Sequence, residues 1–363
     1  MSAPLSAGTK GNGKSNRLFV VLVRLIKLIM LLVVVVYKLG FVIIILIIFL
    51  VLFSLTISFY YIERALSSPP PHASFLSNFT FVKMLPQEGN TSSEIQILQP
   101  EGVDVDSGGN VYINDIEPNR IVKFSKNGTY IMSWGSTGSG DGQFNHPHGN
   151  EIDPQGNVYI TDQGNSRVQK FTSNGTFITK WGSHGTGDGQ FTHPHGVALD
   201  SKGNVYVSDR DNANIQKFTS NGTFITKWGS EGSRDGQFIQ PWDVAVDTDD
   251  NVYVPDYGNN RIQKFTSEGQ FLMKWGSEGN RDGQLKQPAV IAFDSSNLLY
   301  VTDSGNHRVQ VFWPNNGTFI TKWGSEGSGD GQFSKPESID IDTFGHVYVA
   351  DTDNNNVQLF IIT

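Results

Sequence analysis

The chain has 363 residues, 27 Lys and Arg against 35 Asp and Glu for a net charge of −8, and no cysteine. The missing thiols exclude disulfides, thiolate metal sites and cysteine nucleophiles. The acidic balance argues against nucleic acid as the main partner, because phosphate binding draws on clustered Lys and Arg.

The charge is unevenly spread. Up to Ser77, seven basic residues face one acid, a balance of +6 that leaves −14 on the rest. Residues 1–38 read as a short basic cytoplasmic or interfacial segment. Its apolar stretch from Leu18 to Tyr37 carries Arg24 and Lys27, so it is expected to start in the headgroup layer, with both basic side chains snorkelling to phosphates. From Gly40 to Ile62 there is no charge, which predicts one transmembrane helix over 39–62. The run is longer than the roughly 7 to 15 apolar residues of a cleaved signal, and it exits through Phe59, Tyr60 and Tyr61, so an uncleaved signal-anchor is expected. The basic residues before it place the N-terminus in the cytoplasm and everything after it outside. The expected localisation is therefore the cell membrane, single-pass, with lipid contacted through the N-terminal helix. A Pro/Ser linker, 63–78, follows.

Beyond residue 78 the sequence repeats. Trp134, Trp181, Trp228, Trp275 and Trp323 keep a step of 47 or 48 residues, and Pro100, Pro147, Pro194, Pro241, Pro288 and Pro336 keep the same step. Within one period, GVALD, NVYVSD, IQKFT and FITKW are β-branched or aromatic runs bounded by Gly, Asn or Asp. Four short strands per period make a propeller blade. Asn-Gly at 127–128, 174–175, 221–222 and 316–317 supplies the hairpin between the third and fourth strands. The first-strand pattern occurs six times, but the chain ends on a third-type strand at Val357 to Ile362, and Phe79 to Leu85 matches the missing fourth strand. The expectation is an all-β, six-bladed propeller of four-stranded blades over 79–363, with its closing strand from the N-terminal side and no exposed sheet edge at the seam.

The unit P-x-G/D-V-A-x-D, G-N-V-Y-V-x-D, N-x-R-I/V-Q-x-F resembles the NHL-repeat consensus over the whole region from about Phe79. The resemblance implies a six-bladed ring. Some NHL-repeat lyases that act on peptidyl hydroxyglycine bind zinc through channel histidines, and Pro147-His148 and Pro194-His195 look like that arrangement. The family's other catalytic residues have no counterpart here.

Periodic residues read as structural. The Asp closing each second strand, with the Asn and Arg after it, suits turn and inter-blade hydrogen bonding. The repeated Asp-Gly-Gln reads as a loop brace, and EF-hand spacing is absent. The sequons at Asn127, Asn174, Asn221 and Asn316 fall in hairpin turns, so turn chemistry alone accounts for them; those at Asn78 and Asn90 fall outside the hairpins.

Function is sought where blades differ. Directly after the proline stand Glu101, His148, His195, Trp242, Ala289 and Glu337, and three residues later Asp104, Glu151, Ala198, Ala245, Ala292 and Asp340. These place Glu101, His148, His195, Trp242 and Glu337 at an expected ligand-binding channel mouth on the membrane-distal face, with Asp104, Glu151 and Asp340 below. The expected function is a membrane-tethered binding or scaffold propeller that takes a protein, peptide or glycan there. The alternative is a metal-dependent lyase or hydrolase in which His148, His195, Glu101 and Glu337 hold a divalent ion such as Zn, Mn or Ca.

Overall fold

In the computed structural model the described residues are 24, 26, 27, 79–85 and 95–362, excluding the side chains of Lys83 and Met84. The chain divides into two compact units, Met1–Ser68 and Pro69–Thr363, and the propeller lies in the second. The expected anchor at 39–62 and linker at 63–78 fall outside the described residues, among which no helix is long and apolar enough to cross a membrane.

Six four-stranded antiparallel sheets form the body. Blade one runs through Pro100–Val105, Val111–Asp115, Arg120–Phe124 and Tyr130–Trp134. Blades two to five repeat this order over 147–181, 194–228, 245–275 and 288–323. Blade six takes three strands from the C-terminus, and its fourth is Phe79–Leu85, paired antiparallel with Asn356–Ile362. The register puts Leu85 opposite Val357, as Trp134 lies opposite Ile121. Leu85 thus takes the tryptophan's place, and it is buried. Closing one blade from both chain ends removes the edge that a simple linear ring would expose.

Each tryptophan joins two blades. The Trp134 ring lies 6.2 Å from Tyr112 in its own blade and 6.2 Å from Phe171 in the next. The next blade's Asn-Gly turn packs onto it. A Cβ on Gly175 would come 2.8 Å from the Trp134 ring, and the residue has φ +77°, so the turn needs glycine for two separate reasons.

The periodic polar residues are staples, as their repetition implied. Buried Asp162 accepts from Arg167 Nε at 2.7 Å, Gln169 Nε2 at 3.0 Å and the Asn145 N–H at 2.8 Å. Arg167 then donates to the carbonyls of Ser139, Gly140 and Gln143, in the loop leading into the blade. Gln143 braces that loop by accepting from the Gly140 N–H at 3.0 Å. Each first strand descends from its proline, which pairs with the terminal Asp of the second strand, as in Pro100 with Asp115. The inter-blade loops and the loops after these Asp residues therefore share one face, called upper here, and the tight turns form the lower one.

Blade four departs from the pattern. In blades two, three and five, a hydroxyl on the second strand (Thr161, Ser208 or Thr302) accepts from the first-strand N–H of Gly149, Gly196 or Val290. Pro255 stands at that position in blade four and has no such acceptor. There the first strand shrinks to Ala245–Val246, and Trp242 and Asp243 leave the regular ladder.

Candidate functional site

The six inner strands enclose a cavity of about 210 Å³ on the ring axis. It is lined by Glu101, His148 and His195 above and by Asp104, Glu151 and Asp340 further down, so these expected residues do converge. Trp242 and Glu337 do not line it.

The expected open mouth is a closed one, and this is a correction. Glu101, His148, His195 and Glu337 are 7%, 2%, 1% and 1% exposed, and Ala289 is fully buried. The reason is side-chain direction at the bulges that follow each proline. The His148 and His195 rings meet across the blade boundary, centroids 3.4 Å apart and tilted by 41°, and His195 packs on Trp242 at 4.3 Å. Glu101 continues this wall, with Oε2 3.2 Å from His148 Nε2. Lower down, Glu151, Asp340, Leu199, Val246 and Phe293 are half-buried. The channel is thus sealed at its upper end and reached from its lower end.

The expected metal set is not assembled either. Among the described residues no three His, Asp or Glu side chains are arranged to hold a metal ion. The two imidazoles pack on each other at a 41° tilt, and Glu337 is held by Lys335 Nζ at 2.7 Å.

Electrostatics follow from burial. Burial pushes the Glu101 carboxyl up to about 8, helped by Glu337 and opposed by Lys335 and Arg210. His148 and His195 are pushed well below the usual imidazole range, mainly by burial and then by neighbouring imidazoles and Arg210. Both imidazoles are neutral at pH 7. Asp104 and Asp340 share the Val105 N–H, at 2.7 and 2.8 Å. Burial, with Asp340 and Glu151 nearby, raises Asp104 well above the carboxylate range, and burial raises Asp340 to about 6.

Above the seal lies a rim that the first-strand comparison missed. Trp242 stacks on Tyr257 at 4.2 Å and 17°, and the Arg210 guanidinium lies 5.5 Å from the Trp242 ring centre. Arg210 Nε donates to Asp211 at 2.8 Å, and His193 Nδ1 pairs with the same carboxylate. His146, His193 and Lys335 complete the rim, with side chains 43%, 38% and 39% exposed. The signal was present in the sequence. The residues just before each proline and just after each second-strand Asp also differ between blades, and these two sets contain His146, His193 and Lys335, and Arg210 and Tyr257. Asp243, at a position held by glycine in blades one to three, was missed as well. It accepts from the Ile291 N–H at 3.1 Å, and a Cβ on Gly196 would come 2.1 Å from its Oδ1, which accounts for that glycine.

The family described as NHL repeat matches residues 144–171, 191–218, 238–265 and 285–312. Among solved structures, the chain is similar to a protein of unknown function from Bacteroides thetaiotaomicron, with 17% identity, TM-score 0.60, and 78% of this chain and 75% of that one covered. It is similar to a streptogramin B lyase, with 14% identity, TM-score 0.56, and 80% and 99% covered. A virginiamycin B lyase from Staphylococcus aureus gives 14% identity, TM-score 0.54, and 79% and 99% covered. At such identities the likeness is one of fold alone. No curated protein matches the sequence significantly.

Proposed function

We propose that this chain, which is an NHL-repeat six-bladed β-propeller, is a binding scaffold that captures a protein, peptide or glycan on its upper face, in a patch centred on Trp242. The observation that carries this reading is the Arg210–Trp242–Tyr257 stack, half-exposed on a rim where the repeat is broken. Trp, Tyr and Arg are the side chains that most often dominate binding energy, and they do so best when preordered by packing. Here His195 supports Trp242 from below, so little side-chain freedom is left to lose on binding. The lower-face turns are built largely from the repeated hairpin residues, and their most exposed aromatic among the described residues, Phe344, has only the His346 ring beside it. The proposal includes a membrane tether through 39–62 with the propeller outside, supported by charge and hydropathy alone. A metal-dependent lyase or hydrolase would need a ligand set that the geometry does not assemble among the described residues. The test is whether ligands selected on the intact chain are lost on Trp242→Ala.

A further inference from the structure

We propose that the channel beneath the imidazole seal is a second site, separate from the rim, that takes a small organic cation, an ammonium group on an apolar body, from the lower face. Carboxyl side chains on five lining residues, Glu101, Asp104, Glu151, Asp243 and Asp340, face a cavity of about 210 Å³ with no Lys or Arg among its lining.

The wall is split by blade. Blades six, one and two supply Asp340, Asp104 and Glu151, whereas blades three to five supply alanine at the equivalent position and Leu199, Val246 and Phe293 below it. Such a channel suits a molecule that is charged at one point and apolar elsewhere. A second observation, outside the acidic group, also points to a ligand. His195 lines the cavity at 1% exposure, and its Nδ1 has no hydrogen-bond partner among the described residues. A buried polar atom left in this state is costly unless a ligand or water meets it. The Asp104 carboxyl, in a residue 9% exposed, meets the Asp340 carboxyl and the Val105 N–H.

A bare metal ion fits less well. No three of these groups converge on one point, and the volume is that of about seven waters at roughly 30 Å³ each, several times larger than an ion. Protonation agrees with an ammonium. Burial raises Glu151 and Asp104 well above the carboxylate range, Asp243 to about 7 and Asp340 to about 6. A bound ammonium supplies the missing countercharge and displaces their protons. The other titratable groups facing the site are Glu101, His148 and His195 in the seal, His146, Arg210, Lys335 and Glu337 beyond it, and Asp153 and Asp342 at the lower turns. Affinity should therefore rise between pH 5 and pH 8 as the carboxyls ionise.

The experiment titrates n-butylammonium into the full chain in uncharged detergent, followed by ligand-observed NMR, with n-butanol and Ca²⁺ in parallel. Saturable butylammonium binding is expected, with butanol about tenfold weaker or worse and a loss of about tenfold or more on Glu151→Gln with Asp340→Asn. If the double variant does not fold, Asp340→Asn alone should weaken binding in the same direction. The readout is butylammonium itself and no ligand of the rim, so failure here is distinct from failure of the rim. The proposal is overturned by absence of saturation, by equal binding of butanol, by Ca²⁺ displacing butylammonium at one per chain, or by unchanged binding in a folded variant.

Discussion

His148 and His195 come from different blades, yet their rings lie 3.4 Å apart and close the upper end of the channel. That contact separates two environments. Above it, Arg210, Trp242, Tyr257 and Lys335 face solvent, and below it the carboxyl residues line an enclosed space.

The seal can be probed through the absence of cysteine, which makes any introduced thiol unique. Ala289→Cys, at a fully buried position beside the seal, should react with a small thiol reagent roughly tenfold or more slowly than Ala245→Cys in the half-buried lower channel. Adding His195→Ala should speed the first reaction. Equal rates in the parent would mean that the upper end is open.

Ring closure rests on Phe79–Leu85. Leu85 is 1% exposed and Phe79 stacks on Trp323 at 3.7 Å. Leu85→Ala should cost about 2–5 kcal/mol, and deletion of the strand more, since an edge and several apolar contacts go together. Chemical denaturation would measure this. An unchanged midpoint for the deletion would contradict the six-bladed closure.

Stability should depend on pH with a sign fixed by burial. Glu101 sits at about 8 in the fold against an ordinary 4.5, so the folded state holds the extra proton between those values, and stability falls as pH rises through that window. The lowered imidazoles act oppositely, but only below their ordinary value of 6.5. The melting temperature should therefore fall between pH 6.5 and pH 8.5. Glu101→Gln, which stays neutral, should flatten that fall; a variant with the parent's slope would remove Glu101 as its cause.

The expected topology is testable on cells. Protease added outside should release the propeller by cutting between Ser67 and Ala73, because six of the seven basic residues up to Ser77 precede the apolar run. Protection in intact cells with cleavage after lysis would place the propeller in the cytoplasm.

The ring was readable because repetition reports geometry directly. Leu85 could be put in the tryptophan's place from spacing alone, and the register agrees. The Asp, Asn and Arg of each period were legible as staples for the same reason. The channel was legible only as a set of residues. Glu101, His148 and His195 do meet, but whether they gape or close on one another depends on side-chain direction at the post-proline bulges, which spacing does not encode. Pro255 shows the same limit. Blade four pairs Pro255 with a shortened inner strand, Ala245–Val246, and Trp242 stacks on Tyr257, whereas blade six, with Ala350 at the equivalent position, keeps its full Pro336–Ile341 strand, so the missing hydroxyl alone does not dictate the change. The rim lies outside the reach of the post-proline positions, because the residues directly before the prolines, Lys335 and His146 among them, supply it.

The most direct test of the binding reading is selection of peptide and glycan ligands on the intact chain, followed by titration against three variants. Trp242→Ala and Arg210→Glu should each weaken the selected ligands by about 2 kcal/mol or more. Lys202→Glu, an exposed change on a lower turn, should leave them unchanged. Ligands that survive Trp242→Ala but are lost on Lys202→Glu, or a selection that enriches nothing, would contradict an upper-face binding patch.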